Sequence, residues 1–435
     1  MKLDVAGQPC DGVSTDTRTL RPGQAFAALT GPNHDGHHHL AEAFRRGAPA
    51  AIVAREIPAA GGPQLVVPDP LLWLQSTAAR ARLAFAGRVV AITGSAGKTT
   101  TKDATAAALA SALPTGKTSG NFNNHIGVPL SLLNLGDTDQ AAVLEIGMNH
   151  AGEIRHLAAL ARPEFAVVTN VGAAHIENFD SIEGIALAKR ELVEALPPHG
   201  VAILNGDDLR VRRFAQIHPG RSVLYGVAED AHLRATNISY QPAAVRFHIP
   251  GEGDFQIPLP ARAGLAAALA ALAVAREFGI SLARAGEALA AMTPPKMRFE
   301  RLERDGLVIW NDCYNSNPEA AEMMLDLLAA TPAQRRIAVL GEMLELGRWS
   351  ESLHRGVGVH AARCGLSVLV GIRGAAKHLV DAARGAGLGA GAAYFFDDPN
   401  AAGQWLRDVA RPGDALLFKG SRGVRVELAL EAFLA

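Results

Sequence analysis

The segment Val89-Val-Ala-Ile-Thr-Gly-Ser-Ala-Gly-Lys-Thr-Thr100 decides how this chain of 435 residues is read. Its first half is a continuous apolar run, as expected of a strand buried on both faces of a parallel sheet. Glycines then let backbone N–H groups turn inward onto phosphate oxygens, Lys98 supplies a cation, and the Thr99 hydroxyl can ligate Mg²⁺. The strict phosphate-loop pattern has glycine where Ile92 stands, so this is a shortened variant. A merely structural strand–helix turn is the alternative. The strand–glycine–helix context favours a nucleotide held by Gly94, Ser95, Ala96, Gly97, Lys98, Thr99 and Thr100.

Working outward, residues 141–146, 165–169 and 201–204 read as further strands, separated by helical stretches at 152–161 and 182–196. Alternation at this spacing predicts a parallel sheet covered on both faces. Ahead of it, residues 1–86 read as a small α/β unit, with strands at 24–29 and 50–54 and helices at 40–46 and 76–85. Pro294-Pro-Lys296 is the clearest linker signal. Beyond it, strands at 307–310, 336–340, 367–370 and 415–418 alternate with helices that include 318–330 and 400–409. The predicted fold class is α/β in three domains, 1–86, 87–297 and 298–435, which suits a prior of ~150 residues per domain. The Ala/Gly-rich stretches 261–275 and 385–393 read as compositional bias, with no internal repeat.

Charge nearly cancels, with 42 Lys+Arg against 43 Asp+Glu. That argues against a protein living on nucleic-acid phosphates or an anionic membrane, since both reward a basic excess. Hydrophobic residues make up 49% and charged residues 20%, so core material is ample. Three distant cysteines (Cys10, Cys313 and Cys364) form neither a disulfide framework nor a zinc spacing. The opening MKLDVAGQPCDG lacks an apolar signal core, and the longest uncharged apolar stretch, 263–275, is shorter than the ~20 residues that span a bilayer. A cytoplasmic protein without membrane insertion is expected.

Outside the loop, Glu145 ends an apolar strand, where α/β folds bind ligands. It reads as a Mg²⁺ ligand or as a solvated strand-end charge. His175 follows Val167-Val-Thr-Asn-Val-Gly172 and reads as a metal or phosphate contact against a structural histidine. Lys189, inside a helical pattern, defaults to an exposed lysine pairing with Glu191 or Glu194. His34, His37, His38 and His39 read as a surface cluster rather than zinc ligands, because no partner completes a tetrahedral set. In Asp312-Cys-Tyr-Asn-Ser-Asn-Pro318 either Asn315 or Asn317 can simply cap the next helix. Lys419-Gly-Ser-Arg-Gly423 suits an anionic ligand, or is a basic turn. Polar strand-end loops in every domain point to ligands held between domains.

Taken together these segments resemble the Mur ligase family, nearly end to end. Ser14-Thr-Asp-Thr-Arg18, Phe26-Ala-Ala-Leu29 and Asp35-Gly-His37 are similar to its uridine-diphosphate-binding domain. TGSAGKTTTK at 93–102 resembles its ATP loop, and Asn121-Phe-Asn-Asn-His-Ile-Gly-Val-Pro129 resembles an NFNNxxGxP signature. Glu145-Ile-Gly-Met148, Thr169-Asn-Val-Gly172 with His175, and Ala188-Lys189 with Glu191 complete the central resemblance. Asp312–Pro318, Leu340-Gly-Glu-Met-Leu-Glu-Leu-Gly347 and Lys419-Gly-Ser-Arg422 supply the C-terminal part.

The resemblance implies a central P-loop sheet flanked by an N-terminal UDP-binding α/β domain and a C-terminal Rossmann-like α/β domain. It also implies ATP-dependent amide-bond formation, most like members that join D-alanyl-D-alanine to UDP-MurNAc-tripeptide through an acyl phosphate. Lys98, Glu145, His175 and Lys189 would be catalytic. Thr99, Glu145 and His175 would organise Mg²⁺, and Lys189, carbamylated by CO₂, would ligate a second ion; this displaces the surface-lysine reading on family grounds alone. Arg298, Asp312 and Asn315 would contact ATP, and Thr17, Arg18, Asp35 and His37 the uridine nucleotide. Asn121, Asn123 and Asn124 would line the substrate path, and Lys419, Ser421 and Arg422 would hold the dipeptide. A cytoplasmic monomer with no nucleic-acid partner is implied.

Two departures from the family pattern stand out. The stretch 259–269 has alanine or glycine where a His and Asn residues near adenine are expected, and Met297 replaces a common Gly. The alternatives are another member of the superfamily, such as folylpolyglutamate synthase, and a nucleotide-binding scaffold without turnover.

Overall fold

A computed structural model describes residues 3–435. Arg88–Thr93 lies inside a seven-stranded, all-parallel sheet. The order is Thr115–Lys117, Ala141–Glu145, Arg88–Thr93, Phe165–Val168, Val201–Asn205, Arg221–Gly226, Leu233–Arg234. Every residue of Ala141–Glu145 and Phe165–Val168, and all of Arg88–Thr93 after its first residue, is buried. Helices cover both faces, which is why these strands read as unbroken apolar runs. From Arg88–Thr93 the chain goes to one edge and returns through Ala141–Glu145, then builds the other side from Phe165–Val168 onward. The loops after residues 93, 145 and 168 therefore meet at a topological switch point, where open α/β sheets take their ligands.

Two parts of the central unit differ from the sequence reading. The alanine-rich stretch is a 17-residue helix, Ala261–Glu277, with residues 267–275 entirely buried. Small side chains are what its place requires, because it packs in one hydrophobic cluster with Lys98–Ala110. A Cβ on Gly264 would stand 2.2 Å from the Leu259 carbonyl oxygen. Ahead of it, Thr236–Gln241, Ala244–Ile249 and Gly253–Ile257 form an antiparallel sheet that was not anticipated. Its first strand is largely exposed and its register shifts between Thr236 and Ser239, so no clean alternation marks it.

The C-terminal sheet has six strands in the order Glu300–Arg304, Leu307–Asp312, Asp414–Lys419, Arg335–Gly341, Val368–Ile372, Ala393–Phe396, antiparallel only in its first pair. Asp312 and Lys419 are register partners at the ends of two central strands. The N-terminal sheet is parallel, Val13–Ser14, Ala25–Ala27, Ala51–Val53 and Gln64–Val66. Among the described residues, no helix is long and apolar enough to cross a membrane.

The helix that leads to the phosphate loop, Pro70–Ala84, begins earlier than the predicted 76–85. Asp69 caps it by accepting the Leu71 and Leu72 amides, with Pro70 at the first position, a start signal the sequence carries. Buried Arg82 on this helix donates to the Ala161 carbonyl (2.8 Å), the Arg162 carbonyl (2.9 Å) and Glu164 Oε1 (2.7 Å). Glu164 Oε2 takes the Val89 amide at 2.6 Å. One guanidinium thereby ties the leading helix to the base of the phosphate-loop strand. Replacing Arg82 with Met strands a carboxylate and two carbonyls, so R82M is expected to lose about 3 kcal/mol in urea denaturation. A wild-type midpoint would show that this tie does not hold the helix.

Candidate active site

Strand Arg88–Thr93 ends at Gly94, where an added Cβ would lie 1.8 Å from Thr169 Oγ1. Only glycine lets the two strand ends approach that closely. Gly97 adopts a left-handed conformation (φ +78°) at the start of helix Lys98–Ala110, with open space where a Cβ would project. No side chain caps this helix, so its first amides are left to a ligand. Asn170 fixes the loop by accepting the Ala96 amide at 2.8 Å. The Lys98 ammonium donates to the Gly94 carbonyl (2.7 Å), and burial lowers its pKa.

Glu145 is 1% exposed at its strand tip. Its Oε2 accepts the Thr99 hydroxyl and its Oε1 accepts Asn123 Nδ2, both at 2.8 Å. Buried Lys102 donates to the Gly120 carbonyl (2.9 Å), anchoring the start of the Asn121 loop to the same helix. Asn121 and Asn123 face the cavity described below. Asn124 does not, because its Oδ1 accepts the Ile126 and Gly127 amides at the start of helix Gly127–Leu133.

Lys189 overturns its default reading as a surface lysine. It is 1% exposed, and its side chain has no hydrogen-bond or ion-pair partner among the described residues. Glu191 instead accepts the Gly152 and Arg155 amides, and Glu194 pairs with Arg155 and Arg190. Burial, reinforced by nearby Lys98, holds the Lys189 pKa well below the usual lysine range. Burial disfavours the ammonium form, and the free amine is the nucleophile for CO₂, so the side chain fits carbamylation.

His175 takes a left-handed backbone (φ +63°). Its Nδ1 stands 2.5 Å from Glu345 Oε2, out of line for a hydrogen bond. His175, with Lys98 as a lesser contributor, lowers the Glu345 pKa. Glu345 comes from the C-terminal unit, as do two other contacts the sequence did not mark. Glu319 accepts the Ala173 amide at 2.8 Å, and Asn317 Nδ2 reaches the Ser95 carbonyl at 3.4 Å. Asn317 is also the cap that accepts Ala320 N–H, whereas Asn315 Oδ1 only takes the Ser316 amide. A residue just after a helix-capping Asn-Pro, and an acid inside Leu340–Gly347, were the available signals for Glu319 and Glu345.

These elements enclose a cavity of about 1190 Å³. The phosphate loop, Glu145, His175, Arg298 and Asn315 line it. The Arg298 guanidinium lies 4.1 Å over the Tyr314 ring and is therefore held flat at the cavity wall. Its lining also includes Val227, Ile238, Tyr240, Leu265 and Leu269, beside Asn205, Asp207 and Arg262.

Several candidates are committed elsewhere. Buried Lys419 donates to Asp312 Oδ2 (2.5 Å) and the Asn315 carbonyl (3.0 Å), while Asp312 Oδ1 takes the Phe299 amide. Ser421 is 3% exposed, accepting the Leu344 amide and donating to the Ser316 carbonyl. Lys419 and Ser421 thus brace the site, and of the three dipeptide candidates Arg422 alone is exposed, paired with Glu427 at an adjoining recess of about 200 Å³. Thr17, Arg18, Asp35 and His37 do not line the large cavity. Arg18 is paired with Asp16 on the surface. Within the histidine cluster His37 is buried, its Nε2 accepting the Ala54 amide and its Nδ1 donating to Asp35. Both ring nitrogens are therefore used inside the fold. Arg55, then His37, holds Asp35 well below the usual carboxylate range.

The sequence matches the family description "Mur ligase middle domain" over residues 92–275 and "Mur ligase, glutamate ligase domain" over 297–422. The chain belongs to the Mur ligase family. Over 99% of its length this Mur ligase is 36% identical to a protein of Escherichia coli K12 named UDP-N-acetylmuramoyl-tripeptide--D-alanyl-D-alanine ligase, of which it covers 95%. A crystal structure of MurF from Acinetobacter baumannii superposes with a TM-score of 0.87 at 30% identity, covering 98% of this chain and 94% of that one. MurF from Thermotoga maritima in complex with ADP gives 0.82 at 29% identity, covering 97% and 96%.

The state of Lys189 has a measurable pH signature. Its pKa is depressed in the fold, so the unfolded chain binds more protons below about 10.4, and stability falls as pH falls through that window. In CO₂-free buffer, K189M is expected to be more stable than wild type, by a margin that widens as pH drops from about 10.4. A margin independent of pH would show that the amine is not desolvated.

Proposed function

We propose that this Mur ligase joins D-alanyl-D-alanine to UDP-MurNAc-tripeptide, converting ATP to ADP and phosphate. Relatives bearing that name align with nearly the whole chain. The observation that carries the mechanism is the single cavity shared by the phosphate loop, the Asn121–Asn123 loop and the C-terminal Arg298 and Asn315. A carboxylate is a poor acyl donor because its leaving group would be oxide. The tripeptide carboxylate attacks the γ-phosphorus of ATP and ADP departs. The dipeptide amine then attacks the acyl phosphate carbonyl, loses its proton, and phosphate leaves.

In this reading the unpaired amides at 98–100 and the Lys98 ammonium hold the phosphates, and Arg298 adds a cation from the C-terminal side. Asn121 and Asn123 guide the tripeptide carboxylate toward them. Arg422 takes the dipeptide carboxylate at the adjoining recess. Glu145 with Thr99 offers hard oxygen donors for Mg²⁺, and His175 with carbamylated Lys189 offers a second set; the ions supply charge neutralisation on the transferring phosphoryl group. Contacts from Glu319, Asn317 and Glu345 hold the C-terminal unit against the loop and exclude water from the acyl phosphate. We assign residues 1–86 to the uridine-nucleotide end, 87–297 to ATP and 298–435 to the dipeptide, in a cytoplasmic monomer.

The test is phosphate release from ATP and Mg²⁺ with each substrate alone and with both, with mass spectrometry of the product. Turnover is expected only with both substrates, yielding UDP-MurNAc-pentapeptide, and K98M is expected to lower kcat by about 10³-fold. Turnover with a folate and glutamate instead, or ATP binding without any amide product, would overturn the assignment.

A further inference from the structure

Away from the phosphate loop, helices Pro318–Ala330 and Ser350–Arg363 bring three donors of different chemistry together. Asp326 Oδ1 and His360 Nε2 are 2.8 Å apart, and one ligand atom each from Asp326, His360 and Cys364 lies within 4.8 Å of the others. Among the described residues this is the one such convergence of His, Cys, Asp and Glu donors. His360 and Cys364 are four residues apart at the end of one helix and so share a face, while Asp326 approaches from the other helix.

Three further facts favour a cation here. Glu322, one turn before Asp326 on the same helix, is a second half-buried carboxylate beside the cluster. Glu322, Asp326 and His360 also line the large cavity, which gives a hydrated ion an entry path. Tetrahedral coordination at ordinary Zn–N and Zn–S lengths needs donors about 3.3–3.7 Å apart, within a small side-chain adjustment of this arrangement.

We propose that Asp326, His360 and Cys364 form a binding site for a borderline divalent metal of the zinc class, with its fourth position open to water or Glu322. The donor set fixes the class. A carboxylate, an imidazole and a thiolate suit Zn²⁺ or Co²⁺, whereas Mg²⁺ takes oxygen ligands. Binding displaces the thiol proton and forms a sulfur–metal bond, with no change in oxidation state. A bound ion would replace the Asp326–His360 contact and staple the two helices. The site does not rest on the ligase assignment.

The experiment is titration of the full-length protein with Co²⁺ in excess Mg²⁺ and ADP, followed by near-ultraviolet absorption. A thiolate-to-cobalt charge-transfer band that Zn²⁺ removes is expected. The band should vanish in C364S, and Co²⁺ affinity at the site should fall about tenfold or more in D326N, which keeps the thiol. Thermal melting of both variants checks that they fold. Absence of the band in wild type, its persistence in C364S, or unchanged affinity in D326N would each overturn the site.

Discussion

A carboxylate buried at the tip of a strand must be satisfied, and the way Glu145 is satisfied fixes the geometry of the central unit. One oxygen holds the Thr99 hydroxyl at the start of the phosphate-loop helix, and the other holds Asn123 in the following loop. An unpaired charge there would cost several kcal/mol. The start of the phosphate-loop helix and the Asn121–Asn123 loop are thus bound through one side chain that is 1% exposed. Lys102, anchored to Gly120, and Asn170, anchored to Ala96, complete the frame. Lys189, buried near Lys98, has its pKa held well below the usual lysine range.

The second constraint is the junction between the central and C-terminal units. Glu319 on Ala173, Asn317 on Ser95, Glu345 beside His175 and Arg348 toward Asp180 all cross it. These contacts are polar, hydrogen bonds and ion pairs from side chains of one unit to the other. Below them the buried Asp312–Lys419 pair joins two strand ends and sets the loop that carries Tyr314 and Asn315. Its role is to hold the wall, which explains why an ammonium in a ligand-like motif is turned inward.

Much of the fold was legible because its determinants are local. Apolar runs marked Arg88–Thr93, Ala141–Glu145 and Phe165–Val168, and Asn317-Pro318 marked a helix start to the residue. Ala261–Glu277 was missed because an alanine helix buried on all sides has no polar face to give it a period. The sheet over 236–257 was missed because its first strand is exposed and bulged. At the site, Lys98, Thr99 and Glu145 were legible from spacing. Glu319 and Glu345 were not, since each acts on a residue far away in the chain.

By itself the sequence determined the strand–glycine–helix turn, the parallel α/β class and the family, because backbone conformation and hydrophobic period are carried by neighbouring residues. Tertiary structure alone decided what each polar group does. Lys419, Ser421 and His37 have the chemistry of ligand contacts and also make hydrogen bonds inside the fold. Lys189 has the pattern of an exposed lysine but is buried and unpaired. Ionisation and availability depend on burial and on partners brought together by folding, and no local window of sequence contains either.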